Sequence, residues 1–454
     1  MQGRIHLIGI GGAGMSALAR IYREKGHVVS GSDIVLSGVT RALTKEGIRI
    51  FEGHRARQVH GADEVIYSSA IPPTNVERKE AEDMRLKLSH RSEGLARLMQ
   101  GRDGVIVTGM HGKTTTTCLA ARMCEEAGLE PGYMVGAECP SLNGGARLGK
   151  GRIFVAEADE SDGSFLNYKP SFGIVTNIDR EHLDHYGTLD KIRAAFRRFF
   201  EGVHQRGGRL ILPAMDLHVR AILRKQKNIH PLYYGFGPGC DVRGRSLILE
   251  DGGSTFMCEV RGAALGKFRL SLPGRHNVLN ALGVIGLGWL LGLKPEAMER
   301  GLRDCRGARR RFEVKLATPR LMVVDDYAHH PTEIDAVIRT CRQYGRRVVG
   351  VFQPHRYSRT KYLADSFGRS LSKLDELILT DIYGACEQPL EGVSVEVIRR
   401  SAVRHGMRKV FVEAQKNEVV TRLKQIIRPK DLVITLGAGD VGECSDTLVR
   451  SVTL

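Results

Sequence analysis

Residues 105–117 have the sequence V-I-V-T-G-M-H-G-K-T-T-T-T, and this stretch decides the architecture of the chain. The β-branched run at 105–107 predicts a buried strand. Gly109 and Gly112 enclose a tight turn, after which Lys113 and Thr114 begin a helical pattern. A strand, a glycine turn and a helix that starts at Lys-Thr form a cradle for phosphate, because backbone N–H groups and the helix N-terminus attract anions.

The side chains of this turn indicate how a nucleoside triphosphate could be held. Glycine lets the backbone approach phosphate oxygens, Lys113 can reach the terminal phosphates, and the Thr114 hydroxyl can bind magnesium. The spacing G-x-x-G-K-T is shorter than the standard G-x-x-x-x-G-K-[ST], since Val107 occupies the place of the first glycine. A glycine turn before an ordinary helix is the alternative interpretation.

Acidic residues follow the next predicted strand, which covers 153–156. The run 157–162 is E-A-D-E-S-D and begins about 40 positions after the glycine turn. A carboxylate at a strand end beside a phosphate cradle is what a magnesium site needs, and Glu157 is the preferred ligand because it comes directly off the strand. Another strand, predicted at 173–176, leads to His182, which lies among carboxylates. His182 could bind a second metal, or it could be an ordinary surface or core histidine.

The N-terminus carries a second glycine-rich turn. A strand at 4–8 precedes G-I-G-G-A-G at 9–14, a helix follows at 15–24, and Asp33 stands nineteen residues after Gly14. This matches the fingerprint of dinucleotide binding, and it equally fits another pyrophosphate, such as that of a UDP-sugar, on the same helix N-terminus. Ser69 follows a strand predicted at 64–67, where it could contact a ligand or simply form a turn.

The composition indicates a soluble globular protein of two to four domains. The chain has 454 residues and no apolar run long enough to cross a membrane, and its start shows no secretory signal. Nine scattered cysteines without a C-x-x-C pair favour reduced thiols in the cytoplasm. The formal net charge of +17 is dispersed, and only one tryptophan is present. We therefore expect small anionic substrates and no nucleic acid.

The rest of the chain predicts two further parts. Short strands with glycine turns cover 209–272, and a long apolar helix then opens with His276, Asn277 and Asn280 one turn apart. Their amides could contact a base or cap the helix. Beyond the arginines at 309–311, four strands end in polar or glycine-rich loops. This pattern predicts a parallel, doubly wound sheet with a site along its carboxyl edge.

Together these residues resemble the Mur ligases, the ATP-dependent amide ligases of peptidoglycan stem-peptide synthesis. The resemblance covers essentially the whole chain. It depends on these segments: 9–16, 109–117, 157–165, 176–178, 276–280, 310–312, 325–331 and 352–360. The family usually has threonine where Met110 stands, and we expect only a modest effect because phosphate contacts run through the backbone.

The resemblance implies an α/β protein of three domains. These are a Rossmann-like UDP-sugar domain at 1–100, a P-loop-type ATP domain with an added β meander at 101–309, and a Rossmann-like amino-acid domain at 310–454. It implies UDP-N-acetylmuramate and L-alanine as substrates, ATP and two Mg²⁺ ions as cofactors, and a cytoplasmic monomer or weak dimer without membrane or nucleic-acid partners.

The resemblance also assigns residues. The implied catalytic residues are Lys113, His182, His329 and Arg359. The implied ATP contacts are Gly109, Met110, His111, Gly112, Lys113, Thr114, Thr115, His276, Asn277, Asn280, Arg311 and Asp326. The implied substrate contacts are Gly11, Gly12, Ala13, Gly14, Met15, Ser16, Asp33, Ser69, His329, Arg356 and Arg359. The implied metal ligands are Thr114, Glu157 and His182.

The implied chemistry converts the lactyl carboxylate into an acyl phosphate, which the amine of alanine then attacks. The sequence does not decide whether His329 or a nearby carboxylate accepts the amine proton. A ligase for a preformed peptide, an NAD-linked oxidoreductase and a nucleic-acid-dependent NTPase are the competing interpretations.

Overall fold

The computed structural model describes residues 2–142, 144–385 and 387–452, and its strands form three sheets. The first sheet has the order β3-β2-β1-β4-β5, and its neighbouring strands are all parallel. Its elements are β1 (Arg4–Ile8), α1 (Ala13–Glu24), β2 (Val28–Asp33), α2 (Gly38–Lys45), β3 (Arg49–Glu52), β4 (Glu64–Tyr67), α3 (Val76–Asp83), β5 (Lys87–His90) and α4 (Arg91–Leu98). The predicted Rossmann-like arrangement is confirmed.

The second sheet has ten strands in the order β15-β14-β13-β12-β11-β10-β6-β9-β7-β8. Its elements are β6 (Asp103–Thr108), α5 (Lys113–Glu126), β7 (Gly132–Met134), β8 (Ala146–Arg147), β9 (Ile153–Glu157), β10 (Phe172–Val175), α6 (Leu183–Tyr186), α7 (Leu189–Gln205), β11 (Arg209–Pro213), α8 (Leu217–Leu223), β12 (Leu232–Gly235), β13 (Val242–Glu250), β14 (Gly253–Val260), β15 (Ala263–Leu270), α9 (Arg275–Leu290) and α10 (Pro295–Arg303).

The position of β6 explains its apolar sequence. It pairs in parallel with β9 on one side and β10 on the other, and its residues 104–108 are all buried, which shows that both of its faces are covered. The register places Val107 opposite Glu157 and Thr108 opposite Val175. The carboxyl ends of three strands therefore meet at one edge, and the glycine turn leaves the sheet at this edge.

The predicted meander begins later than the sequence pattern indicates. Strands β11 and β12 run parallel to their neighbours, because α8 crosses between them and returns the chain in the same direction. Only β13, β14 and β15 form a meander, in which short turns join consecutive strands, and they extend one edge of the sheet. The helix α8 is absent from the sequence-based prediction.

The third sheet has the order β16-β17-β21-β18-β19-β20. Its elements are β16 (Glu313–Ala317), β17 (Leu321–Asp326), α11 (Pro331–Arg342), β18 (Val348–Phe352), α12 (Tyr357–Leu371), β19 (Glu376–Leu379), α13 (Glu396–Arg404), β20 (Val410–Val412), α14 (Lys416–Ile426), β21 (Asp431–Leu436) and α15 (Gly442–Val452). The four predicted strands are parallel, and β16 adds an antiparallel edge that the sequence analysis did not include.

The chain divides into two compact units. One contains residues up to Leu247 together with Phe256–Ser271 and Val278–Gly307, and the other contains Ile248–Thr255, Leu272–Asn277 and the chain from Ala308 onward. The first unit holds the first sheet and most of the second, so the boundaries predicted near residues 100 and 309 stay predictions. Within the described ranges, no helix has the length and apolar character that a bilayer-crossing segment requires.

One prediction about the cysteines is wrong. Cys118 and Cys139 form a disulfide, whereas the sequence favours reduced thiols throughout. The strand order explains the difference, because β7 lies beside β9 under α5 and thus brings Cys139 to the helix that carries Cys118. Six other cysteines are free thiols, and Cys386 lies outside the described residues.

The packing of α10 on α5 gives a test of the fold. A Cβ atom on Gly301 would lie 2.5 Å from Cα of Met123, whereas on Gly202 of α7 the nearest neighbour would be Nη1 of Arg206 at 3.7 Å. We expect Gly301→Ala to lower the stability by about 1–3 kcal/mol through overpacking. Gly202→Ala should raise it by about 0.5–1 kcal/mol through helix propensity.

Calorimetry of the full chain measures both variants. Equal rises in the melting temperature would contradict the close contact between α5 and α10.

Candidate active site

The glycine turn between β6 and α5 has a backbone that only glycine fits. Gly109 has φ 125° and Gly112 has φ 82°. A Cβ atom on Gly109 would lie 2.3 Å from Oγ1 of Thr176, and one on Gly112 would lie 2.9 Å from Oδ1 of Asn280. Both positions therefore combine positive φ with a close neighbour. The turn is held in one conformation at the N-terminus of α5.

Asn177, which follows β10, holds this turn in place through hydrogen bonds to its backbone. Its Oδ1 accepts a hydrogen bond from the backbone N–H of His111 at 3.0 Å, and its Nδ2 donates to the His111 carbonyl at 2.8 Å. Its own carbonyl accepts from Met110 at 3.3 Å. The Met110 side chain is buried. Asn177 was not assigned a role from sequence, although it directly follows the predicted strand.

Lys113 lies in a strongly negative environment. Its Nζ is 3.0 Å from Oε2 of Glu160 and donates to the Gly109 carbonyl at 2.8 Å. Burial by itself lowers the pKa of Lys113, but the charges of Glu160 and Asp159 outweigh this effect and raise the pKa above its ordinary value. Lys113 is therefore a permanent cation, held at the mouth of the turn by the carbonyl and the carboxylate.

Thr114 and Glu157 form the pair predicted to bind magnesium. Oγ1 of Thr114 donates to Oε1 of Glu157 at 3.1 Å, and the backbone N–H of Gly136 donates to Oε2 at 2.9 Å. Two adjacent oxygens of an octahedral Mg²⁺ shell lie about 3 Å apart, since each is about 2.1 Å from the ion. The donor atoms and their spacing fit this cation. Thr115, the next residue of α5, is buried beside them.

Glu160 is the site residue that the sequence analysis missed. It is completely buried, and its Oε1 lies 3.1 Å from Nε2 of His182 while it also pairs with Lys113. Burial lowers the pKa of His182, but the hydrogen bond and charge of Glu160 raise it overall. The ligand atoms of Asp159, Glu160 and His182 lie within 4.8 Å of one another. This set can hold a divalent cation once His182 loses its proton.

The first sheet brings its own polar residues to this acidic strand end. The Ser69 hydroxyl donates to the Asp162 carboxylate, and Nε2 of His90 is 3.9 Å from the same carboxylate. Nδ2 of Asn167 donates to the Ser92 hydroxyl at 2.7 Å. Ser69, predicted from its strand-end position, therefore does lie beside the acidic segment of the second sheet.

The N-terminal glycine turn uses Asp33 internally. Oδ2 of Asp33 accepts from the backbone N–H of Gly11 at 2.8 Å. In a dinucleotide site this carboxylate would instead accept from a ribose hydroxyl. Gly12 precedes α1, in which Ala13, Gly14, Met15 and Ser16 form the first turn. The guanidinium of Arg91 lies against Gly14, where a Cβ atom would be 2.3 Å from its Nη1.

The residues that are expected to lie near the adenine base of ATP are divided between the two compact units. Asn280 is buried against Gly112 in the first unit. His276 and Asn277 belong to the second unit, where Nδ2 of Asn277 donates to the Pro273 carbonyl at 2.7 Å. Burial and the charge of Arg339 lower the pKa of His276 to about 4. Contact of all three with a nucleotide stays a prediction.

Asp326 at the end of β17 is fully engaged by backbone groups. Its carboxylate accepts from the N–H of Phe312 at 2.6 Å and from that of Ala328 at 2.7 Å. Burial raises its pKa to about 6, although Arg311 and these hydrogen bonds act in the opposite direction. Arg311 lies over the ring of Tyr327 at 4.8 Å. Asp326 thus orders the start of the third sheet, whatever else it contacts.

A cluster of histidine and arginine lies along the carboxyl edge of the third sheet. The rings of His329 and His355 are 5.7 Å apart, and His355 stacks on Tyr383 at 5.7 Å. Nη1 of Arg359 donates to Nδ1 of His355 at 3.1 Å, which requires a neutral imidazole. Arg356 precedes α12 with φ 72°, and its N–H donates to the Tyr383 carbonyl. Sequence reasoning assigned no role to His355 or Tyr383.

A phosphate turn at the centre of a parallel sheet, with acidic ligands on the neighbouring strand, defines a nucleotide-binding α/β protein. Three family models match the chain in succession. The Mur ligase family catalytic domain matches residues 4–103, the Mur ligase middle domain matches 107–288, and the Mur ligase glutamate ligase domain matches 310–439. The chain belongs to the Mur ligase family.

Individual relatives and one solved structure are similar to this chain over nearly its whole length. The UDP-N-acetylmuramate–L-alanine ligase of Sorangium cellulosum is 44% identical, over 97% of this chain and 94% of its own. That of Pelotomaculum thermopropionicum is 41% identical, over 98% and 97%. The crystal structure of UDP-N-acetylmuramate-alanine ligase from Thermotoga maritima superposes with a TM-score of 0.85 at 28% identity and covers 100% of this chain and 99% of that one.

The clamp formed by Asn177 can be tested directly. Asn177→Ala removes both side-chain hydrogen bonds to His111, so the turn should open more often. We expect amide hydrogen exchange in residues 109–112 to become roughly tenfold faster, since two hydrogen bonds contribute about 1–3 kcal/mol. Asn167→Ala, which loses its bond to Ser92, is the matched control and should leave this segment unchanged. Unaltered exchange in Asn177→Ala would exclude the clamp.

The neutral His355 predicts a pH dependence of stability. Burial, reinforced by the charges of His329 and Arg359, lowers its pKa to about 3. An unfolded histidine has a pKa of about 6.5, so between this pH and about pH 3 residue 355 binds up to one more proton in the unfolded chain than in the folded chain. The stabilising effect of the neutral ring is complete above pH 6.5 and is lost as the pH falls toward 3.

Urea unfolding of the full chain between pH 6.5 and pH 4 measures this effect. His355→Asn should reduce the loss of unfolding free energy by up to about 1.4 kcal/mol per pH unit. His230→Asn, at an exposed position, should leave the slope unchanged. Identical slopes for the wild type and His355→Asn would contradict a neutral ring in the folded chain.

Proposed function

We propose that this chain joins L-alanine to the lactyl carboxylate of UDP-N-acetylmuramate, with ATP converted to ADP and phosphate. Relatives that carry the name of this activity match it over nearly the whole chain at 39–44% identity. The observation that carries the proposal is the position of Ser69 beside the acidic segment that also holds Lys113. An acceptor bound at the first sheet is thereby brought toward a phosphate bound at the second.

The first sheet is proposed to bind the UDP-sugar. The N-terminus of α1, with Gly11, Gly12 and Ala13 before and at its start, can hold a pyrophosphate through backbone N–H groups. Asp33 already accepts from Gly11, which favours UDP over a dinucleotide that needs this carboxylate for its ribose. A cavity of 690 Å³, lined in part by Ser16, lies between α1 and the segment that follows β7.

The second sheet is proposed to bind ATP and two Mg²⁺ ions. Thr114 and Glu157 would hold one ion, and His182 with Glu160 and Asp159 would hold the other. Bound magnesium supplies positive charge that reduces the repulsion between phosphate and an attacking anion. Lys113 also reduces this repulsion, because it can exchange its contact with Glu160 for one with a phosphate oxygen.

The third sheet is proposed to complete the sites for ATP and alanine. Arg311 and Asp326 would contact the nucleotide, together with His276, Asn277 and Asn280. The carboxylate of the amino acid suits the guanidinium groups of Arg356 and Arg359, and His329 stands beside them. Nδ1 of His329 lies 3.0 Å from the Tyr327 carbonyl and 3.5 Å from Glu333, so both can orient its ring.

The chemistry follows from the inertness of a carboxylate. The lactyl carboxylate attacks the terminal phosphorus of ATP, the bond from this phosphorus to the bridging oxygen breaks, and ADP leaves. The product is an acyl phosphate, which is a good electrophile. The neutral amine of alanine then attacks the acyl carbon, phosphate leaves, and the amine nitrogen gives up a proton to His329 or to a nearby carboxylate. Lys113 stabilises the negative charge of the first step. Each proposed step uses the enzyme for binding and charge stabilisation, and no protein nucleophile takes part. We assign the proposed reaction to the cytoplasm because it depends on ATP.

One assay decides between the proposed function and its alternatives. Phosphate release from ATP is measured with UDP-N-acetylmuramate, with and without L-alanine, and the amide product is identified by mass spectrometry. We expect release and product only when all three substrates are present. Preference for a tripeptide over alanine would indicate the peptide-adding ligase. Tight NADH binding, or hydrolysis stimulated by nucleic acid, would contradict the proposal altogether.

The assignment of Lys113 predicts the most severe variant. Lys113→Ala removes the cation at the phosphate turn and should lower kcat by at least about 100-fold, the usual effect of deleting one charge-stabilising group. Lys227→Ala, at an exposed lysine of the same unit, is the control and should keep full activity. Circular dichroism establishes that the variant is folded. Turnover near the wild-type rate in folded Lys113→Ala would refute the assignment.

A further inference from the structure

Three cysteine side chains meet behind the phosphate turn. Cys118 lies in α5, Cys139 follows β7, and Cys305 follows α10. All three are completely buried. Cys118 and Cys139 are joined as a disulfide with a Cα–Cα distance of 6.6 Å, within the range of protein disulfides. Sγ of Cys305 lies 3.7 Å from Sγ of Cys118.

The disulfide connects α5, which carries Thr114, to the segment at Gly136, which donates a hydrogen bond to Glu157. Cys118 lies one helical turn after Thr114 in α5, so a displacement of one residue moves the other. Cys139 lies three residues after Gly136, whose N–H donates to Glu157 at 2.9 Å. The bond therefore restrains both sides of the proposed magnesium site. Neither cysteine belongs to the residues that we propose to contact the nucleotide or the ion.

The cluster fits a dithiol–disulfide site better than a metal site. Two of its three sulfurs are already joined to each other. A structural zinc ion takes four ligands, and this group offers three thiols. Burial raises the pKa of Cys305 to about 11, so this thiol stays protonated at neutral pH and exchange is slow while the cluster is closed.

We propose that Cys118 and Cys139 form a reversible dithiol–disulfide pair that sets the affinity of the phosphate turn for magnesium nucleotide, with Cys305 as the exchanging thiol. The proposal rests on the proposed function, since it regulates the same site. In the disulfide form, Thr114 and Glu157 are held near the spacing that the ion needs. In the dithiol form, binding must also restrain α5 and the segment at Gly136, which costs affinity.

The chemistry is thiol–disulfide exchange. A low-molecular-weight disulfide oxidises the thiols of Cys118 and Cys139, one S–S bond forms in the protein, and two small thiols are released; a small dithiol reverses the step. Within the protein, the deprotonated sulfur of Cys305 attacks Sγ of Cys118. A Cys118–Cys305 bond forms, the bond to Cys139 breaks, and Cys139 leaves as a thiolate that takes up the proton.

Mass spectrometry tests the pairing in the full-length protein. Samples equilibrated with oxidised glutathione or with reduced dithiothreitol are alkylated and digested with trypsin. Cleavage after lysine and arginine separates peptide 114–122, which contains Cys118, from 123–147 and from 304–306. We expect 114–122 linked to 123–147 in the oxidised sample, and fragmentation must place the link at Cys139 and not at Cys124. A minor link to 304–306 should disappear in Cys305→Ala.

Calorimetric titration with a magnesium complex of a non-hydrolysable ATP analogue tests the consequence. The oxidised protein should bind about fivefold more tightly than the reduced protein, as expected when ordering of one or two segments precedes binding. This difference should vanish in Cys139→Ala and persist in Cys258→Ala, another buried cysteine of the same sheet. The comparison of the two redox states of the wild type needs no variant.

The outcomes separate the two proposals. A correctly placed link with equal affinities in both states would overturn the regulation and leave the ligase function intact. No link at Cys139, or one zinc ion bound per reduced protein, would overturn the dithiol–disulfide pair. Absence of nucleotide binding in both states would refute the proposed function, and the regulation with it.

Discussion

The ion pair between Lys113 and Glu160 is the interaction that holds together the turn after β6, the acidic segment after β9 and the loop after β10. A buried carboxylate and a largely buried ammonium group are costly apart, so each fixes the other at the end of a central strand. Glu160 also contacts His182, which ties the loop after β10 to the same point. The turn, the acidic segment and the histidine loop thus form one charged assembly at the carboxyl edge of the second sheet.

Parallel pairing makes this assembly feasible. Since β6 lies between β9 and β10, three connections leave the sheet side by side, and each supplies a different kind of group. The turn after β6 supplies N–H donors and a cation, β9 supplies carboxylates, and β10 supplies the amide of Asn177. The first sheet then contributes Ser69 from its own carboxyl edge. Two strand-end sites are therefore adjacent within one compact unit.

The sequence predicted those parts of the structure that are set by local patterns. Strong apolar runs located β6, β9, β10 and β17, and the glycine turns located the starts of α1 and α5. Short, partly exposed strands such as β3 and β5 were missed, because a few alternating residues carry little signal. The antiparallel strand β16 was missed because nothing local specifies its partner.

Side-chain roles were harder to predict than strands. The run E-A-D-E offers three carboxylates. The strand end indicated Glu157 as the partner of Thr114, but only the fold shows that Glu160 faces Lys113. The disulfide was missed for a similar reason, since strand order and not sequence spacing brings Cys139 to α5. His355 and Tyr383 come from different loops, and their stacking depends on the β18–β19 pairing.

The hydrogen bond from Gly11 to Asp33 has a consequence for protein engineering. A nicotinamide-binding protein built on this scaffold would need a second acid for the ribose diol, because Asp33 already orders its own loop. Replacing Asp33 to redirect ligand preference would loosen that loop before it altered selectivity. The turn is thus ordered by a contact between its own residues, and this contact involves no nucleotide.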